Sequence, residues 1–178
     1  MNVLQLANEV FLPHVCDLVT EGHEVTITAK GYSMRPFVES ERDKAVLAKA
    51  EAFAQYDVVL AEIAKGHYVL HRIDRICSPD GKRLKGKVSD PDALITLRGD
   101  GNVKGTESCR LCDIRAITTQ FIRKGKPCST NSRFWRCYSR VWRFCLPVRR
   151  YLLALYRLFW RGELPQRFSR KNKANSSQ

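Results

Sequence analysis

The chain has 178 residues, enough for one domain of ordinary size and an extension. Its 44% hydrophobic and 28% charged content excludes a fully disordered chain. The net charge is +13, yet residues 1–120 hold 16 basic against 17 acidic side chains, and residues 121–178 hold 15 against one, Glu163. This asymmetry excludes a uniformly basic, histone-like protein and implies a near-neutral body with a basic appendage.

Residues 2–20 read as one amphipathic helix, with Val3, Leu6, Val10, Phe11 and Val15 at three-to-four spacing. Gly22 ends it. The same stretch has no basic n-region and carries Glu9 among its apolar residues, so it does not read as a secretory signal. Residues 24–30 alternate and are β-branched, which predicts a strand before the breaker Gly31. Further strands are predicted at 45–48, 57–61, 68–76, 94–97 and 114–122. Asp80-Gly81 is a hairpin signal. The expected fold is mostly β (α+β): a barrel-like or coiled β-sheet domain with an N-terminal helix, spanning residues 1–123. Residues 124–132 read as a linker, 133–162 as a basic amphipathic helical extension, and 163–178 as a disordered polar tail.

Seven cysteines, odd in number and irregular in spacing, argue against a disulfide framework and for a reducing compartment. Cys109-x-x-Cys112 has no second pair at zinc-ribbon spacing, so it reads as two buried apolar cysteines. No metal or cofactor is expected. His14, His23 and His67 stand in no motif. His67 and His71, four apart on a strand, lie about 13 Å from each other and are not expected to share a metal.

Three segments carry chemistry. In Gly31-Tyr32-Ser33-Met34-Arg35-Pro36, a serine follows a strand and a glycine and precedes a proline-restrained turn. Such a turn holds a hydroxyl outward and aims backbone N–H groups at one point, as a nucleophile and its oxyanion hole require. Val69-Leu70-His71-Arg72 places an imidazole on a rigid strand. Leu97-Arg98-Gly99-Asp100-Gly101-Asn102 holds an acid in a glycine-flanked turn.

Together and in this order, over roughly residues 20–120, these segments resemble the type I signal peptidase and LexA-like serine peptidase superfamily. GYSMRP resembles its nucleophile box, RDKAVL and YDVVLAE its following strands, YVLHRI its base box and LRGDGN its last box. His71-Arg72 is similar to the histidine-base variant found in archaea and the endoplasmic reticulum. The resemblance implies a serine endopeptidase. Ser33 would be the nucleophile, His71 the base and Asp100 the acid that orients the imidazole. The backbone N–H of Ser33 and the Gly31 neighbourhood would supply the oxyanion hole, with Arg72 and Asn102 as supporting residues. The endoplasmic-reticulum type carries a further acid after its Gly-Asp box, and Glu107 is the candidate here. The resemblance also implies cleavage after small residues in an extended leader, signal-type or precursor peptide docked as an added strand. Signal peptidases carry an N-terminal membrane anchor and LexA-like repressors a helix-turn-helix, and the N-terminal segment here reads as neither.

In the C-terminal unit, Phe134, Tyr138, Val141, Cys145, Val148, Leu152, Leu155 and Phe159 predict one apolar stripe. Trp135, Trp142 and Trp160 widen it, and Arg136, Arg140, Arg143, Arg150 and Arg157 form an opposing ridge. Pro147 predicts a kink or a split into two helices. Three uses remain open: an in-plane helix on an anionic membrane, docking on the domain or a second subunit, and single-stranded nucleic acid, the least favoured. No stretch offers the ~20 apolar residues of a spanning helix, so membrane contact is expected to be peripheral and the protein cytoplasmic. The leading expectation is thus a serine endopeptidase at a membrane surface. The alternative is a non-catalytic module that keeps the fold to bind peptide or membrane.

Overall fold

The computed structural model describes residues 8–159. The N-terminal residues Val3 and Leu6, Trp160 and the 163–178 tail lie outside the described residues. The chain runs α1 (Asn8–Thr20), β1 (Val25–Thr28), β2 (Lys44–Ala48), β3 (Val58–Ala64), β4 (His67–Cys77), β5 (Leu94–Arg98), β6 (Glu107–Arg110), β7 (Ile114–Arg123), β8 (Lys126–Ser129), α2 (Arg133–Phe144) and α3 (Arg149–Phe159). The eight strands form one open antiparallel sheet in the order β1-β2-β7-β3-β4-β5-β6, and β8 pairs with β7. The fold class of the described residues is therefore mostly β with three α-helices.

Each predicted strand appears, and in several of them the apolar residues alternate to one buried face. In β5, Ile95 and Leu97 are buried while Leu94 is exposed. β3 differs, since Val58, Val59, Leu60 and Ala61 are all buried. The sheet has a core on each side of this strand. Val58 and Leu60 join Val15, Val19, Leu47 and Phe121, whereas Val59 and Ala61 join Ile73, Ile76, Ile95 and Leu97. Gly22 closes α1 as predicted. Its φ of +98° lets its own N–H reach Val19 O and the His23 N–H reach Leu18 O, each at 3.0 Å.

Residues 124–132 are not a linker. Lys124 and Gly125 turn the chain at positive φ, and Lys126–Ser129 pairs back onto β7. Ser132 then caps α2, its hydroxyl accepting the Trp135 N–H at 3.1 Å. The split at Pro147 is as expected, with α2 ending at Phe144 and α3 starting at Arg149.

The face that α2 buries differs from the expected stripe. Trp135, Ser139 and Trp142 are buried, while Phe134 and Val141 are exposed. Both sets recur at three-and-four spacing, so periodicity alone does not choose between them. Polar partners decide: Ser139 Oγ accepts from Arg72, Trp142 Nε1 donates to Asp100 O, and Tyr138 of the expected stripe turns half inward to donate to Asp100. Trp135 packs edge-on to Phe37 at 4.6 Å between ring centroids and near Phe121 at 5.1 Å. Trp135 and Trp142 are therefore core residues and not membrane contacts.

Candidate active site

Ser33 lies in a loop whose ends are pinned at Ala29. The Ala29 N–H donates to Asp43 O at 2.9 Å, and Ala29 O accepts from the Glu41 N–H at 2.7 Å. Inside the loop, Glu39 accepts two hydrogen bonds from the Arg35 guanidinium, at 3.0 and 2.8 Å. Gly31 has φ +88°, and its N–H donates to Ser40 Oγ at 3.0 Å. That N–H is engaged, so Gly31 shapes the turn without serving as an oxyanion donor. The Ser33 N–H has no acceptor among the described residues and remains available.

The Gly99-Asp100-Gly101 turn presses against this loop. The Gly101 N–H donates to Ser33 O at 2.7 Å. A Cβ at Gly99 would lie 2.5 Å from Ser33 O, 3.0 Å from His71 Nε2 and 3.0 Å from Asn102 Nδ2. A Cβ at Gly101 would overlap Tyr32 O. The glycines are thus required by close approach, and that approach gathers Ser33, His71 and Asn102 around one point. Ser33 and His71 also line one cavity of about 590 Å³, together with Phe11 and Leu12 of α1, residues of β1, and Tyr68, Val69 and Leu70 of β4. No hydrogen bond joins the Ser33 hydroxyl to the imidazole, a contact that is often long without substrate.

The acid that meets His71 is Glu107. His71 Nδ1 and Glu107 Oε2 are 2.7 Å apart, and the two side chains are 5% and 30% exposed. Strand register explains this. Ile73 pairs with Leu97, and Leu97 pairs with Glu107, so all three share a face, and His71, two residues before Ile73, shares it too. Arg72 pairs with Arg98 on the opposite face, and Asp100, in the turn after β5, meets Arg72 there. The expectation that Asp100 orients His71 is accordingly corrected. Asp100 takes Arg72 Nε on Oδ1 at 2.9 Å and Arg72 Nη2 on Oδ2 at 2.7 Å.

This second pair is buried and roofed by α2. Arg72 Nη1 donates to Tyr56 O at 3.1 Å and to Ser139 Oγ at 2.5 Å. Tyr138 donates to Asp100 Oδ2 at 3.3 Å, and Trp142 Nε1 donates to Asp100 O at 3.0 Å. The Arg72 guanidinium lies 4.7 Å from the centroid of the Trp135 ring. Burial opposes the Arg72 charge, but the Asp100 carboxylate outweighs it and raises the guanidinium pKa further. Burial first, then the Asp100 charge, pushes the Tyr138 phenol far above its ordinary range, so it stays a donor.

Of the two expected supporting residues, Arg72 holds Asp100 on the face opposite His71, and Asn102 Nδ2 lies 3.0 Å from where a Gly99 Cβ would stand. Tyr138, Ser139 and Trp142 were not recognised from sequence as parts of the site's support. Arg143 pairs with Asp74, while Arg136, Arg140, Arg150 and Arg157 are exposed. All seven cysteines are free, but Cys109 is buried and Cys112 exposed, which corrects the reading of both as buried.

No family model, curated protein or solved structure matches this chain.

Proposed function

We propose that the protein is a serine endopeptidase of the signal-peptidase-like type, with Ser33, His71 and Glu107 as its catalytic residues. The observation that carries this reading is the 2.7 Å His71–Glu107 contact beside a cavity whose wall also holds Ser33. An Nδ1–H given to the carboxylate leaves Nε2 as the ring's acceptor. The Ser33 Oγ attacks the scissile carbonyl carbon, and its proton passes to Nε2. Glu107 stabilises the imidazolium, and the Ser33 N–H faces the developing oxyanion. Collapse of the tetrahedral adduct sends the proton to the leaving amine. Water then hydrolyses the acyl-enzyme by the same route reversed.

An extended peptide or precursor-protein segment suits the cavity. Outward of β1 there is no strand among the described residues, and Tyr68–His71 of β4 pairs only with β3, because the β5 ladder begins at Arg72. Both free edges offer backbone donors and acceptors for strand addition. The absence of a Ser33–His71 hydrogen bond favours a second reading, a peptide-binding module without catalysis.

The test compares protein N-termini in cells expressing wild type or Ser33→Ala, alongside a degenerate peptide library incubated with each purified protein. New termini and library cuts that need Ser33 are expected. No Ser33-dependent cut in either assay overturns the peptidase. Unchanged library retention by Ser33→Ala then favours the binding module.

A further inference from the structure

The helices that brace the site also leave an apolar surface uncovered. Of the fourteen exposed large apolar side chains, nine lie between residues 134 and 159, so exposure is concentrated on one unit. In α3, Arg149, Leu153 and Tyr156 turn inward. Val148, Tyr151, Leu152, Leu155, Leu158 and Phe159 recur at three-and-four spacing on a separate outer stripe. On α2, Phe144, at 86% exposed, and Val141 are uncovered as well. These residues differ from the tryptophans that the sequence pattern suggested, since Trp135 and Trp142 face the core.

The charge around this surface has one sign. Residues 133–159 contain seven arginines and no acid. Arg143 and Arg149 are used internally, on Asp74 and on Trp142 O. Arg133, Arg136, Arg140, Arg150 and Arg157 are exposed, and none pairs with an acid among the described residues. On α2, at ~100° per residue, Arg133 and Arg140 lie about 80–120° from Phe134 and Val141, and Arg136 lies farther round, at about 140–160°. Apolar side chains can therefore enter a bilayer while the guanidinium forks reach phosphates at its surface.

We infer that the outer face of α2 and α3 docks on an anionic phospholipid surface. A second copy placed on this face would set five arginines against five with no acid between them. A nucleic acid would match the arginines but leave Leu155, Leu158 and Phe159 in water, and the helices offer no flat stacking platform. An anionic bilayer interface satisfies both the apolar stripe and its basic border. The inference concerns docking alone and stands apart from the peptidase reading.

The test uses the full chain and sedimentation with vesicles of about 70% phosphatidylcholine and 30% phosphatidylglycerol. Wild type is expected to pellet. Leu155→Ser with Phe159→Ser, and separately Arg136→Gln with Arg140→Gln, are each expected to lower the partition coefficient at least ~10-fold. Phosphatidylcholine alone should lower it by a similar factor, whereas Leu94→Ser, an exposed change elsewhere on the sheet, should leave it unaltered. Thermal melting checks that each variant is folded, and Phe144→Ser replaces any that is not. Wild type left in the supernatant, or outer-face variants that bind like wild type, overturns the inference. So does equal binding to neutral vesicles. A concentration-dependent dimer dissolved by Leu155→Ser, or salt-sensitive oligonucleotide binding without vesicle binding, replaces the lipid by a second copy or a nucleic acid. Because no step needs peptide cleavage, an inactive protein that pellets supports docking while the peptidase reading fails.

Discussion

Tyr156 of α3 donates a 2.6 Å hydrogen bond to Glu39, the residue whose other carboxylate oxygen holds Arg35 two positions after Ser33. The C-terminal helices thus reach the Ser33 loop on one side and the Asp100 turn on the other, through Trp142 and Tyr138. Burial and then the Glu39 carboxylate push the Tyr156 phenol above its ordinary range, which keeps it a donor throughout the neutral region. Tyr156→Phe removes that donor while keeping the ring. It is expected to cost about 1 kcal/mol of stability and, with Ser33 as the proposed nucleophile, to lower kcat more than KM, because Tyr156 steadies the Ser33 loop. Urea unfolding and steady-state cleavage by the same protein check this, and an unchanged kcat removes Tyr156 from the loop's support.

The two acids separate by experiment. Asp100→Ala leaves the Arg72 guanidinium buried without its partner and is expected to destabilise the protein by about 3–5 kcal/mol. Glu107→Gln keeps the shape at a half-exposed position and is expected to cost under about 1 kcal/mol. It should still lower kcat by about 10²–10⁴-fold, since the imidazolium loses its stabilising charge. Equal stability losses in the two variants would contradict the division of roles that strand register imposes.

Gly99 is the close approach that touches both Ser33 and His71. Gly99→Ala drives a methyl group to 2.5 Å from Ser33 O and 3.0 Å from His71 Nε2, so backbone must move. A destabilisation of about 1–3 kcal/mol is expected, with loss of activity beyond what the remaining folded fraction explains. Gly81→Ala has open space around its Cβ, so it carries only the strain of positive φ (+85°). Comparing the two by calorimetry and cleavage isolates the crowding.

Much of the sheet was legible because β1, β2, β3, β4, β5 and β7 are short apolar runs with turn residues between them. β6 was not, since Glu107-Ser108-Cys109-Arg110 offers one buried residue, Cys109, and no alternation to read. Missing β6 is also why Glu107 could be named only as a candidate. Its face is fixed by pairing with Leu97, a long-range relation that no local pattern carries. β8 was hidden by Pro127, which an edge strand tolerates opposite Ile122. In α2, apolar and aromatic residues cover more than half the circumference, so the buried face depends on which polar atoms the body can match. Arg72 and Asp100 make that choice by receiving Ser139, Tyr138 and Trp142.

Thiol reactivity should report the burial of the cysteines. Burial pushes the Cys16 thiol up to about 11 and the Cys109 thiol up to about 12. The thiolate is the reactive form, so both should resist iodoacetamide at pH 8 in the native protein. Cys112 and Cys137 are exposed and should be alkylated first. Mass spectrometry of peptides from native and denatured samples checks the order. Rapid native labelling of Cys16 would show that α1 does not stay packed on the sheet.

Two aspartates should contribute to acid stability with opposite sign. Burial disfavours the Asp43 charge, but the Arg42 guanidinium and the N–H groups of Glu39 and Lys124 outweigh it, holding the carboxyl below its ordinary value. A folded pKa below the unfolded one, near 3.9, gives stability that is present above about pH 4 and lost as pH falls through the folded value. For Asp57, burial dominates and the Ala54 N–H only partly offsets it, so its folded pKa is raised. Its proton is held more tightly in the folded state, and stability falls as pH rises from about 3.9 through that raised value. Asp43→Asn should therefore lower the melting temperature at pH 7 and flatten its decline below pH 4. Asp57→Asn keeps an oxygen for the Ala54 N–H and should raise the melting temperature at pH 7 relative to wild type. Melting curves between pH 3 and pH 8 on the three proteins decide it, and a loss of stability in both variants at pH 7 would reverse the assignment for Asp57.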